Sequence, residues 1–260
     1  MRSFLLWLLL SVLGLAPSAA THAQTPLRVG MELAYPPFEM ADPQGTPTGV
    51  SVDLAHALGK ALGRPVEIKN LPFDGLIPSL KTGKIDLILS SMTATPERAR
   101  AIDFSDPYLR TGLCLLVGAQ SNLQSAADLD QPGRILAVKQ GTTGHLFANQ
   151  KLRSAKTLVL DRESACVLEV TQGKAHAFLY DQMSVLKHWQ QNPTTTRALL
   201  LPIQEESWAI GLRKGQDSLR ESVNRFLREF REKGGFQELA AKWLPEQRAA
   251  FEQLGVPFVF

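Results

Sequence analysis

Between residues 27 and 244, short β-like runs alternate with amphipathic helical stretches, and one run, Ile85-Asp86-Leu87-Ile88-Leu89, is apolar almost throughout. Such a run is expected of a strand buried on both faces, which places it in a parallel sheet covered by helices on either side. Leu27-Arg28-Val29-Gly30-Met31 supplies an earlier strand and Val66-Glu67-Ile68 another. The spacing predicts a helix from Val52 to Leu62, with Leu54, Ala55, Leu58, Ala61 and Leu62 on one face and Gly63 as its stop. A second helix, through Leu76, Ile77 and Leu80, is expected to start at a cap from Asp74 and to end at Gly83. The alternation then restarts. Strands are expected at Leu113 to Val117, Ile135 to Val138, Leu158 to Leu160 and Ala177 to Tyr180, and helices at Thr142 to Lys151 and Ser164 to Gln172. Two more helical faces follow, Leu219 to Phe230 and Phe236 to Leu244. Two successive β-α-β sets imply an α/β protein of two lobes. The 260 residues, 44% of them hydrophobic, suffice for two ordinary domains.

Ahead of this pattern, Arg2 is followed by a 12-residue apolar run from Phe4 to Leu15, then Pro17 and the small residues Ser18, Ala19 and Ala20. That order reads as a secretory signal. The run falls short of the ~20 residues that span a bilayer; the other reading is a buried first helix. Thr21-His22-Ala23 offers the preferred cut, after Ala23, with Ala20 as the alternative. No cysteine lies near the cut to carry a lipid, so residues 1–23 are expected to be removed and the rest to be free in a bacterial periplasm. Charged residues make up 20% and the net charge is only +3, with no block of like charge, so nucleic acid is not an expected partner. Two cysteines, Cys114 and Cys166, exclude a disulfide framework and a four-cysteine zinc site. The five histidines are scattered with no His-x-x-x-His pair, and neither a metal nor a cofactor is expected.

In open α/β sheets, ligands bind beyond the carboxyl ends of the strands. Glu32 and Tyr35 follow the first strand, as an acceptor and a hydroxyl-bearing ring. A solvated acid and a packing aromatic are the plainer alternatives. Ser90-Ser91-Met92-Thr93-Ala94-Thr95-Pro96-Glu97-Arg98 follows the buried strand. Thr95 is a helix cap, Pro96 suits the first helical position, and Arg98 falls in the first turn. From there a guanidinium can reach back and clamp a carboxylate with two parallel bonds. Pairing with Glu97 or Asp103 is the alternative. Lys139-Gln140-Gly141-Thr142-Thr143-Gly144 opens a helix and suits an anion, but lacks the Gly-Lys-Ser/Thr ending of a phosphate loop. Tyr180-Asp181 ends another strand; the carboxylate suits an ammonium group, or a helix N-cap. A carboxylate clamp in one lobe and an ammonium partner in the other fit a zwitterion, of which the α-amino acid is the simplest.

Several stretches carry a resemblance: Tyr35-Pro36-Pro37-Phe38, Gly49-Val50-Ser51-Val52-Asp53-Leu54, Phe73 to Leu80, Ser91 to Arg98, Asp103-Phe104-Ser105-Asp106-Pro107-Tyr108 and Gln140-Gly141-Thr142-Thr143. In this order they resemble the periplasmic amino-acid-binding proteins of ABC importers, the family 3 solute-binding proteins. Ser51 departs from the family's usual Asp at a position that is generally structural. The resemblance implies a type II periplasmic-binding-protein fold, two open sheets joined by two hinge strands. Lobe I would hold residues 24–108 and 211–260, lobe II residues 113–204, and the hinge residues 109–112 and 205–210. It further implies that Arg98 holds the ligand carboxylate, helped by Thr93 and a Thr143 N–H. Asp181 would hold the ammonium, with main-chain acceptors near Ser91. Phe73 and Tyr35 would sandwich the side chain, with Glu32 facing it and Tyr180 nearby. Ser90, Met92 and Thr142 complete the expected binding set. Glu32 favours a polar or basic amino acid, since an aliphatic one would leave a buried acceptor unpaired. A monomer would close on its ligand and deliver it to an ABC membrane permease. The two cysteines are most simply buried thiols. Rival functions are a dehydratase of the same fold, disfavoured because Gln182 to Leu186 supplies no acid, and an amino-acid sensory module.

Overall fold

The computed structural model describes residues 25–256; the signal segment read at residues 1–23 lies outside them. Strand β1 (Leu27–Met31) precedes a small sheet of its own, made of β2 (Ala34–Tyr35), β3 (Glu39–Ala41) and β4 (Pro47–Thr48). Helix α1 (Val50–Ala61) leads to β5 (Val66–Asn70), a 3-10 turn at Phe73–Gly75, α2 (Leu76–Lys81), β6 (Leu87–Ile88) and α3 (Pro96–Ala99). The long strand β7 (Asp103–Gly118) carries the chain onward to α4 (Ala126–Leu129), β8 (Ile135–Lys139), α5 (Thr143–Lys151) and β9 (Lys156–Leu160). Helix α6 (Glu163–Thr171), β10 (Ala177–Asp181) and α7 (Gln182–Gln191) follow, and a second long strand, β11 (Thr196–Leu212), returns the chain to α8 (Asp217–Glu232), α9 (Gly235–Trp243) and α10 (Pro245–Gln253).

The eight larger strands bond in the order β5-β1-β6-β11-β7-β10-β8-β9. Each half is a parallel trio, β5-β1-β6 or β10-β8-β9, and the antiparallel pair β7 and β11 serves both. The C-terminal end of β11 lies on β6, at Gly211 and Leu212, while Leu113 to Val117 of β7 lie on β10. The two sheets are therefore hydrogen-bonded through their shared strands. Along β7, residue alternation feeds two cores in the second half. Leu113, Leu115 and Val117 pack with Leu136, Val138 and Leu179 on one face. Cys114 and Leu116 pack with Cys166, Val170 and Phe178 on the other. Both cysteines are buried as free thiols, and burial pushes Cys166 up to about 12.

Some local expectations shift. Asp74 caps nothing: it sits inside the 3-10 turn, and its carboxylate accepts from Gln140 Nε2 at 2.9 Å. Only Leu87 and Ile88 of the apolar run pair as a strand, while Ile85 packs with Leu76, Leu80 and Ile88 beneath α2. Helix α7 had been read only as a capping alternative at Asp181, and α10 and the small sheet were not read from the sequence.

Candidate functional site

The strand ends point at one another across a cleft. A cavity of about 420 Å3 is lined by Glu32, Tyr35 and Phe73 beyond β1 and β5, by Ser90, Ser91, Thr93 and Arg98 beyond β6, and by Thr142, Thr143, Tyr180 and Asp181 beyond β8 and β10. Of the expected binding residues, only Met92 is absent from this lining. Its side chain is buried with Leu76, Leu80, Ile85 and Ile102, because the chain turns Ser91 and Thr93 to the cleft and the residue between them to the core.

Arg98 is placed by a chain of local causes. Thr95 accepts from the Arg98 N–H at 3.1 Å and caps α3, with Pro96 in the first turn. The guanidinium then folds back, Nη1 donating to Thr93 O at 2.8 Å and Nη2 crossing the cleft to Gly141 O at 3.0 Å. Arg98 is only 6% exposed, and burial lowers its pKa to about 10. No carboxylate among the described residues lies within ion-pair distance of it: the pairing weighed with Glu97 or Asp103 does not form. Gly141 has a φ of +74°, a left-handed turn that favours glycine. At Gly144 a Cβ would sit 2.4 Å from Leu179 O, so α5 packs close enough on β10 to aim its first turn into the cleft.

Asp181 does two jobs. Its Oδ1 accepts from Met183 and Ser184 N–H at 3.0 and 3.1 Å, which caps α7, and from Tyr35 Oη at 2.6 Å, which ties the two halves together. All three bonds go to Oδ1, leaving Oδ2 without a bonding partner among the described residues. Burial lifts the carboxyl from 3.8 to about 7. Tyr35 itself is buried, stacked on Phe38 and edge-on to Trp208 and Tyr180.

Glu32 is not a free acceptor: it forms an ion pair with Lys139 Nζ, from the end of β8 across the cleft. Gln150 Nε2 also crosses, donating to Glu97 at 3.2 Å. Glu39, Lys139, Glu206 and Trp208 were missed by sequence reasoning. Glu39 accepts from Ser51 at 2.6 Å and from Ser91 at 3.0 Å, and burial raises its pKa to about 8. Ser51, the departure from the family pattern, is therefore the partner of a buried acid at the cavity wall. Glu206 accepts from Thr93 Oγ1 at 3.0 Å and is raised by burial. Lys139 alone gave a usable signal, as a lone cation ending a buried strand at a helix start. Among the described residues no cluster of His, Cys, Asp and Glu suits a metal, and no helix is long and apolar enough to cross a membrane.

The chain is similar to known proteins over nearly all of this fold. The L-arginine-binding protein of Pseudomonas aeruginosa is 32% identical over 262 residues, covering 91% of this chain and 93% of that protein. The L-cystine-binding protein of Escherichia coli strain K12 is 29% identical over 219 residues, covering 84% and 82%. An ancestral arginine-binding protein bound to arginine, solved as a structure, superposes with a TM-score of 0.79 at 34% identity, covering 86% of this chain and all of that one. The family model of the bacterial extracellular solute-binding proteins, family 3, matches residues 27–246. With that match and these relatives, the chain belongs to the bacterial extracellular solute-binding proteins of family 3.

Proposed function

We propose that this protein captures a free L-α-amino acid in the cleft, closes on it, and delivers it to the membrane permease of an ABC importer. The observation that carries the reading is Arg98, a buried guanidinium on the cavity wall with carbonyl partners but no protein carboxylate in ion-pair range. A buried charge is costly unless paired, and a ligand carboxylate supplies the pair. Thr93 and the first turn of α5, with the Thr143 N–H, stand beside it. Asp181 Oδ2 receives the α-ammonium, and Tyr35 and Phe73 hold the side chain. The relatives named for arginine and cystine support a ligand with a polar side chain.

In this reading residues 24–108 and 211–260 form one jaw, residues 113–204 the other, and the hinge lies at 109–112 and 205–210 in the two long strands. Ligand contacts both jaws only when they meet, so it shifts the balance toward the closed form. The mature chain works as a monomer in the periplasm, cut after Ala23 and without a lipid anchor. The test is a thermal-shift screen of the twenty L-amino acids, on protein first unfolded and refolded to strip bound ligand. Binding to the native state raises the melting temperature by mass action. At least one polar or basic amino acid is expected to do so; a flat response to all twenty and to the two-headed L-cystine and meso-diaminopimelate refutes the reading.

A further inference from the structure

The cleft holds a second pair of opposite charges. Lys139 and Glu32 meet across it with side chains only 4% and 17% exposed. The Phe73 ring adjoins one cation of each pair. Arg98 Cζ lies 5.4 Å from the Phe73 ring centroid and Lys139 Nζ lies 5.6 Å from the same centroid. The two cations are thus no more than about 11 Å apart, within reach of one small molecule. Glu32 and Phe73 also line an adjoining outer pocket, open to solvent, whose walls include Lys139, Asp74, Gln140 and Arg162. The cavity therefore continues past the first head-binding end toward the second charge pair.

We propose that Glu32 and Lys139 form a second zwitterion site, and that the ligand is an α,α′-diamino dicarboxylic acid: two amino-acid heads joined by a short bridge. This rests on the reading of Arg98 and Asp181 as the site of the first head. The argument is one of exchange. A ligand bearing only a distal cation takes Glu32 and leaves Lys139 buried without its counter-charge. One bearing only a distal carboxylate takes Lys139 and strands Glu32. Removing one partner of a buried pair is strongly unfavourable. A second ammonium and carboxylate replace both partners at once and leave neither charge alone. The dimensions agree. In a disulfide-bridged amino-acid pair the α-carbons lie ~5.5–6 Å apart. With a carboxylate and a charge-assisted contact of ~2.8 Å at each end, such a molecule reaches cations up to roughly 16 Å apart, so the upper limit of about 11 Å lies within its span.

The test is isothermal titration with L-cystine and meso-diaminopimelate as two-headed probes, against L-glutamine, L-arginine, L-glutamate and S-methyl-L-cysteine as single-headed ones. At least one two-headed probe is expected to bind 30-fold or more tightly than every single-headed one (~2 kcal/mol). In Lys139→Gln, checked for folding by circular dichroism, that margin is expected to collapse and arginine to gain on its wild-type affinity. A single-headed amino acid binding as tightly as the better of the two two-headed probes, or an unchanged ranking in Lys139→Gln, overturns the proposal and leaves the amino-acid reading standing. Binding of none of the six, nor of any other amino acid in the thermal screen, sinks both.

Discussion

Acidification from pH 7 to pH 5 is expected to weaken ligand binding by up to about 100-fold, through Asp181. Its carboxyl sits at about 7 rather than 3.8 because burial penalises the charge, more than the bonds from Tyr35 and Ser184 favour it; Glu163 and Glu206 push the same way as burial. Below pH 7 the empty cleft with its halves together therefore carries a proton there. An ammonium at Oδ2 requires the ionised form, so binding must expel that proton. Each unit of pH below that value then costs up to about 1.4 kcal/mol, a factor of up to about ten in affinity, and less to the extent that parting of the halves hydrates the carboxyl. Two units give the 100-fold. The assay is isothermal titration between pH 5 and 8, in two buffers of different ionisation enthalpy, with a ligand whose side chain does not titrate in that range. About one proton should leave per ligand at pH 5–6, and the release should fade above 7. Glu39, at about 8, stays protonated throughout the acid limb and is held by serines rather than by ligand, so Glu39→Gln should preserve the slope. An affinity constant within threefold from pH 5 to 7, or binding without proton release, refutes the reasoning.

Four further outcomes follow from the same geometry. Arg98→Ala should lower affinity by at least 100-fold, as losing one member of a buried charge pair does (~3 kcal/mol or more), with the far-ultraviolet spectrum unchanged; retained affinity would mean the carboxylate lies elsewhere. Tyr35→Phe removes the 2.6 Å bond to Asp181 that joins the two halves, and should weaken binding about 10-fold by isothermal titration; unchanged affinity would count against a role for that bond in the liganded form. Glu39 has a folded-state pKa raised to about 8, so the folded state holds its proton longer than the unfolded state, and wild type loses stability as pH rises from about 4.5 through 8. The melting temperature of Glu39→Gln relative to wild type should rise across that window, and a constant difference would count against it. Cys114 and Cys166, buried and unbonded, should react with a thiol reagent only after unfolding, and a reductant should not move the melting temperature.

Much of the site was legible because its residues are set by local rules. Thr95 and Pro96 fix where α3 begins, and hence that Arg98 faces back over the loop it follows. Asp181 ends β10 and starts α7, so the carboxylate has to lie at the strand end; it caps α7 and lines the cavity. What could not be read was long-range. Glu39 is an ordinary loop acid until Ser51, Ser90 and Ser91 are brought around it. Glu206 faces the cavity only because β11 runs beside β7 at that point, pairing Glu206 with Thr111. The expectation that Glu32 was a free acceptor failed for the same reason: its partner is 107 residues away. Met92 was included by proximity, where backbone alternation would have excluded it. The apolar run at 85–89 signalled burial correctly, but only Leu87 and Ile88 stand in register with β1 and β11, with Asp86 and Leu89 N–H bonding to Arg28 O and Gly30 O at its ends.

The charges explain why closure and recognition are one event. If the halves part, Arg98 loses Gly141 O, Asp181 loses Tyr35 Oη, and Glu32 separates from Lys139. Each of those groups then meets water, which solvates a charge about as well as its partner did. Protein–protein contacts across the cleft thus give closure little net drive. A zwitterion changes the balance at every one of these positions. It neutralises Arg98, ionises Asp181 without stranding a charge, and meets groups from both halves only when they are together. Ligands that lack either charge leave a buried group unmatched, so selectivity for an amino acid arises from the cost of closing on anything else. On the proposed reading the same cost falls on the Glu32–Lys139 pair, so the identity of the side chain would be decided there and not at Arg98.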